Sequence, residues 1–153
     1  MKLDKNSKIF LAGHNGLVGS SILRYLKKKK YKKIITKNRK ILDLSDQSKT
    51  EKFLKKIKPE FVIIAAAKVG GINANQKYKA DFIYQNLMIQ TNLIHSSFKV
   101  GVKKLIFLGS SCIYPKFSNQ PISEQELLNG KLEITNQAYA IAKISGIEMC
   151  RSY

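Results

Sequence analysis

The stretch Ile9-Phe10-Leu11-Ala12-Gly13-His14-Asn15-Gly16-Leu17-Val18-Gly19 decides the fold. Four apolar residues predict a buried strand over 9–12, and the periodic residues from about Leu17 to Lys29 predict a helix. Between them Gly13 permits a tight turn, Gly16 lets main chain approach a pyrophosphate, and Gly19 lets the helix pack closely on the sheet. The helix amino terminus adds unpaired N–H groups and a positive dipole end. Gly13, His14, Asn15, Gly16, Leu17, Val18 and Gly19 are therefore the candidate cradle for a dinucleotide. The spacing is GxxGxxG; outside a strand-turn-helix context it would read as a plain glycine turn.

Outward from this turn the same alternation repeats. Ile34-Ile35-Thr36 predicts a short strand, and a lysine-rich amphipathic helix runs from about Gln47 to Lys56, with Phe53, Leu54 and Ile57 inward and Pro59 closing it. Residues 61–65 predict a third strand, apolar throughout as when both sheet faces are covered. After a loop through Gly70-Gly71, a long helix spans about Ala80 to Lys99, ended by Gly101, with Ile83, Leu87, Ile94 and Phe98 inward. Residues 105–108 predict a fourth strand, and a loop carrying Pro115 and Pro121 leads to a helix beginning near Asn136. The pattern predicts an α/β fold, a doubly wound parallel sheet of about four strands with helices on both faces. The last helix still runs at Tyr153, and a complete dinucleotide-binding sheet has about six strands. Residues 1–153 thus read as the N-terminal part of a coenzyme-binding domain, its remainder and a substrate domain lying elsewhere.

The 153 residues are 44% apolar, 25% charged and 9% aromatic, the composition of a globular domain. No apolar run reaches the ~18–20 residues a membrane span needs, and Met1-Lys2-Leu3-Asp4-Lys5-Asn6 lacks a secretion signal's apolar core. A cytoplasmic protein without a membrane partner is expected. Cys112 and Cys150 have no metal-ligand spacing, so reduced thiols and no metal are expected. The formal charge of +18 raises nucleic acid as a partner. Residues 1–60 carry +13 of it, and of 28 basic residues only Arg24, Arg39 and Arg151 are arginine. Base and phosphate readers lean on arginine forks. Solvated lysine faces are the preferred reading, Lys27-Lys28-Lys29-Lys30 being a helix end that suits cations, and no nucleic-acid partner is expected.

Residues 36–40 read Thr-Lys-Asn-Arg-Lys where an acid would bind the 2′-hydroxyl of NAD. Cations there favour a 2′-phosphate, hence NADP, with Arg39 as the contact because its fork grips phosphate in two places. Lys37, Arg39 and Lys40 could equally belong to the general basic excess. Asp43, within Ile41-Leu42-Asp43-Leu44, could accept from the adenine amino group or merely cap a turn.

Tyr139 and Lys143 stand four apart in the last helix and share one face. An ammonium beside a phenol is expected to lower the tyrosine pKa toward neutrality and make Tyr139 a general acid or base. Gly109-Ser110-Ser111-Cys112 follows the fourth strand, where ligands sit in open α/β sheets. There Ser110 could donate to a substrate carbonyl, or cap a turn. Ser110, Tyr139 and Lys143 would form one device for hydride transfer with NADPH.

By residues 12–20, Ala65 to Ile72, Ala80 to Asn86, Phe107 to Lys116 and Tyr139 to Gly146, the chain resembles the GDP-L-fucose synthase family. That family belongs to the extended short-chain dehydrogenases of the NAD-dependent epimerase/dehydratase group, with a Rossmann fold. The resemblance implies NADPH held by residues 13–19, by Arg39, Lys40, Ile41, Leu42, Asp43 and Leu44, by Leu108, Gly109, Ser110 and Ser111, and by Lys143. It implies a GDP-sugar substrate, GDP-4-keto-6-deoxy-mannose, epimerised at C3 and C5 and then reduced at C4, and a homodimer in the full-length enzyme. It makes Cys112 an acid/base for epimerisation, whereas Cys150 reads as a small apolar residue. The family's partner histidine lies beyond residue 153, and neither His14 nor His95 carries over to it. Asn15 stands where the family often has arginine, so NADP preference rests more on Arg39. These residues alone are expected not to turn over the keto sugar. Another sugar-nucleotide epimerase or reductase, and a non-catalytic nucleotide-binding remnant, remain as alternatives.

Overall fold

The computed structural model describes residues 3–153. Four parallel strands, β1 (Lys8–Ala12), β2 (Lys33–Ile35), β3 (Phe61–Ile64) and β4 (Lys104–Phe107), form one sheet in the order β2-β1-β3-β4. Ile9 pairs with Ile34 on one side and Phe61 on the other, and Phe61 pairs with Lys104. The helices are α1 (Leu17–Lys28), α2 (Gln47–Ile57), α3 (Ile72–Lys77), α4 (Lys79–Lys99) and α5 (Gln137–Ser152), with single 3-10 turns at Ser111–Ile113 and Glu124–Glu126. The chain forms two compact units: one of the residues up to Ala67 with Met88–Leu108 and Tyr153, the other of Lys68–Leu87 and Gly109–Ser152. Among the described residues no helix is long and apolar enough to cross a membrane.

The whole sheet lies in the first unit, and β1 is its centre. Ile9, Phe10, Leu11 and Ala12 are all buried, and neighbouring side chains of a strand point to opposite faces. Ile9 packs with Leu26 and Ile22 of α1, while the Phe10 ring meets Phe53 of α2 edge-on at 5.1 Å. The two helices therefore cover opposite faces, as the apolar run anticipates. Burying Ile9, Phe10 and Leu11 contributes about 1.5–3 kcal/mol each, so β1 is the strand around which its neighbours are fixed. At the sheet edge, by contrast, Ile106 of β4 is 44% exposed.

Local chemistry sets the helix limits. Asp46 caps α2 by accepting from the Lys49 N–H at 2.9 Å, and Lys58, at φ +41°, ends it just before Pro59. α4 closes through Gly101, at φ +73°, with Gly101 N–H donating to Phe98 O and Val102 N–H to Ser97 O. This is the left-handed glycine cap that the sequence predicts.

Two expectations are corrected. A short helix, α3, occupies Ile72–Lys77 where only a loop was expected. The inward face of α4 holds Phe82, Asn86, Gln90, Leu93 and Ser97, and although Ile94 is buried, Phe98 is 60% exposed while Ile83 and Leu87 are only half-buried. The observed spacing is helical, but three of its five members are polar. Backbone groups of neighbouring loops satisfy the asparagines, so an apolar pattern alone places the face wrongly.

Candidate nucleotide turn and Ser-Tyr-Lys cluster

In the first unit the strand order reverses at β1 and β3, whose carboxyl ends flank the switch point where α/β sheets take ligands. Gly13 makes the turn there at φ +85°. A Cβ on it would stand 2.5 Å from the Ala66 nitrogen and 2.6 Å from the Ala65 carbonyl carbon. At Gly19 a Cβ would fall 2.1 Å from the Gly13 oxygen, so α1 lies directly on the turn. Gly16 differs, because a Cβ there would meet only the Gly13 oxygen at 3.5 Å. Gly16 caps α1 with no side-chain hydrogen bond, and no acid stands in the first turn. Leu17 is 90% exposed, Val18, Gly16 and Asn15 are exposed, and His14 is half-buried. An open glycine face, amide donors without a side-chain cap and no opposing carboxylate together fit a diphosphate.

The segment proposed to meet the adenosine is a turn in the same unit. Ile41 and Leu42 N–H groups donate to Asn38 O. Arg39 Nε lies 3.6 Å from Asp43 Oδ2, both side chains being exposed to solvent. The Ser45 hydroxyl and N–H both donate to Asp43 Oδ1, at 2.7 and 3.0 Å. Those bonds, with a smaller contribution from Arg39, hold the Asp43 carboxyl below its usual range. Lys40 and Ile41 are exposed, Leu42 is buried, and Leu44 is half-buried. Leu108, just beyond β4, donates its N–H to Ile64 O.

The second unit brings together the four residues singled out for chemistry. Gly109 and Ser110 enter the Ser111–Ile113 turn, and Tyr139 and Lys143 share a face of α5. Ser110 is hydrogen-bonded to the Tyr139 side chain, and the Cys112 thiol donates to Ser110 Oγ at 3.1 Å. Lys143 is buried, 4% exposed, with Nζ 5.8 Å from the centre of the Tyr139 ring. Ser111 is exposed.

Charge in this cluster departs from expectation. Burial raises the Tyr139 pKa above its usual 10.0, negative charge on Cys112 raises it further, and the Ser110 hydrogen bond only partly opposes them. The expected lowering by Lys143 is not found. The same burial lowers the lysine from 10.5 to about 8, with Cys112 acting weakly the other way. Desolvation governs both groups because it penalises whichever form is charged. Cys150, half-buried on α5, has its thiol raised by burial alone. His95 Nδ1 is 2.6 Å from the Tyr153 hydroxyl.

Sequence reasoning missed the buried asparagines. In the second unit Asn86 accepts from Lys68 N–H at 2.8 Å and donates to Lys68 O and Phe82 O, while Asn75 donates to Gly70 O and Gly71 O. In the first, Asn92 donates to Leu44 O and Ser45 O. The available signal was amide side chains recurring at the helical spacing of apolar neighbours.

The sequence profile of the NAD dependent epimerase/dehydratase family matches residues 9–153. The chain belongs to that family. Among its relatives, GDP-L-fucose synthase 1 of Arabidopsis thaliana is 58% identical over 98% of this chain and 46% of its own length. GDP-L-fucose synthase of Escherichia coli (strain K12) is 51% identical over 95% of this chain and 46% of its own. Among solved structures, a GDP-D-glycero-L-gluco-heptose synthase from Campylobacter jejuni, in the presence of NADPH, superposes with a TM-score of 0.96 at 43% identity. It covers 99% of this chain and 44% of that one. This epimerase/dehydratase chain spans about half the length of the curated relatives it matches, and its parallel sheet is the Rossmann-like sheet of that family.

Proposed function

We propose that this chain is the coenzyme-binding, N-terminal part of an NADPH-dependent GDP-L-fucose synthase. In that reading Gly13, Gly16 and Gly19 with the first turn of α1 take the diphosphate, and Arg39 takes the 2′-phosphate. The observation that carries the catalytic half is the linkage of Tyr139, Ser110 and Cys112 by hydrogen bonds beside a buried Lys143. The 58% identity to a GDP-L-fucose synthase supports the substrate, GDP-4-keto-6-deoxy-mannose.

Bound NADPH supplies the hydride for C4 of the keto sugar. Ser110 Oγ–H donates a hydrogen bond to the C4 oxygen. Tyr139, a phenol that burial moves further from ionisation, gives the proton that this oxygen needs as its bond order falls. Lys143, with a pKa of about 8, is mostly an ammonium at pH 7 and holds the nicotinamide ribose. The Cys112 thiol serves as an acid/base for the carbon-bound protons next to the ketone during epimerisation. A GDP-sugar is then the small-molecule partner, and a second copy of the enzyme its expected protein partner.

The test is a chimera in which residues 1–153 replace the matching segment of the Escherichia coli enzyme. It should form GDP-L-fucose from the keto sugar and NADPH, and a folded chimera with no product would refute the assignment. Residues 1–153 alone should bind NADPH without turnover. A second reading, reduction of another GDP-linked sugar, is supported by the likeness to the Campylobacter jejuni heptose synthase. Challenging the chimera with both keto sugars separates the two.

A further inference from the structure

Asn92 is a buried polar residue of α4, 4% exposed, in the first unit. Its Nδ2 donates to two consecutive carbonyls, Leu44 O and Ser45 O, each at 3.0 Å. The Leu44 carbonyl also accepts from the hydroxyl of Thr50, fully buried in α2, at 3.3 Å. Two buried donors thus converge on one short stretch of loop. In the residues just before it Arg39, Lys40 and Ile41 are exposed and Leu42 is buried, and the turn carries bonds to Asn38, bonds from Ser45 to Asp43 and a 3.6 Å ion pair. An exposed ion pair of that length contributes at most about 1 kcal/mol, so it does not fix the turn by itself. The buried donors anchor its far end, because removing them takes away the bonds that hold the carbonyls of the half-buried Leu44 and Ser45. The orientation of the amide is also determined, since only nitrogen can face two carbonyl oxygens.

We propose that Asn92, assisted by Thr50, is a positioning residue for coenzyme selection: it holds the Leu44-Ser45 backbone from below and so sets the turn that presents Arg39 and Asp43 to the adenosine end of the dinucleotide. The coenzyme half of this rests on the NADPH reading above; the clamp itself does not. Asn92 touches no coenzyme and acts through the loop.

The test uses the 153-residue chain with Asn92→Ala and, in case that variant folds poorly, Thr50→Val, with Thr50→Ser as the conservative control. Amide hydrogen exchange at residues 41–46 should quicken at least tenfold in Asn92→Ala, with β1 unchanged and Thr50→Ser near wild type. The ratio of NADPH to NADH affinity should fall at least tenfold. A merely structural residue would weaken both coenzymes alike and leave their ratio intact, which would overturn the selection role. Unchanged exchange at 41–46 would overturn the clamp whatever the coenzymes do. A wild-type chain that binds neither coenzyme, with exchange responding as stated, would overturn the NADPH reading and the selection role together while upholding the clamp.

Discussion

The Cys112 thiol donates to Ser110 Oγ across 3.1 Å, while the same serine is hydrogen-bonded to Tyr139. One hydroxyl therefore links the two groups proposed to move protons. Tyr139→Phe removes the acid and keeps the ring. In the chimera it should lower kcat by about 10²–10⁴ and change NADPH affinity by less than threefold, checked by steady-state rates and fluorescence titration.

Lys143 offers a test that needs no substrate. Its folded-state pKa of about 8 lies below the ordinary 10.5, because burial disfavours the ammonium. Between those values the unfolded chain holds more protons on this group, so folding stability rises with pH through the window. Below pH 8 the whole cost is present, about 3 kcal/mol for such a shift. Lys143→Met should raise stability at pH 7 by about 1–3 kcal/mol, an advantage that shrinks toward pH 10.5. Urea midpoints at the two pH values decide it: a difference independent of pH would refute the charge argument.

Much of this was legible in the chain. The strand, turn and helix around Gly13 could be read because glycine spacing and apolar period coincide there, and Tyr139 and Ser110 could be grouped because each follows from a place in the same α/β order. The α3 helix could not be read, since Ile72-Asn73-Ala74-Asn75-Gln76-Lys77 has one bulky apolar residue and no period. The α4 face was misplaced because Asn86 and Asn92 look like solvent residues until the backbone of Lys68 and of Leu44-Ser45 supplies their partners. The direction of the Tyr139 shift was misjudged for a related reason. Four-residue spacing sets which side chains are neighbours, but burial decides which form is charged, and burial is not written in the spacing.

Two glycines of the turn should behave oppositely. Gly13→Ala places a Cβ 2.5 Å from the Ala66 nitrogen at φ +85°. Backbone on both sides must shift, so a loss of at least about 2 kcal/mol is expected. Gly16 has φ −76° and room for a Cβ. Gly16→Ala should leave the thermal midpoint within a few degrees, yet weaken NADPH tenfold or more by obstructing the diphosphate. Thermal melts with and without NADPH check both.

Arg39 carries the coenzyme preference in this reading, and its ion pair with Asp43 is a weak one. The 3.6 Å pairing with Asp43 is exposed at both ends, so an incoming 2′-phosphate can replace the carboxylate at little cost. A charged hydrogen bond to phosphate is worth about 1.5–3 kcal/mol. Arg39→Ala should therefore weaken NADPH by about 10–100-fold and leave NADH nearly unchanged. Asn15 adds no cation at the glycine turn, so the loss should not be masked there. Titration of both coenzymes against wild type and variant gives the answer: equal weakening of the two would assign the 2′-phosphate contact to the neighbouring lysines, Lys37 and Lys40, instead.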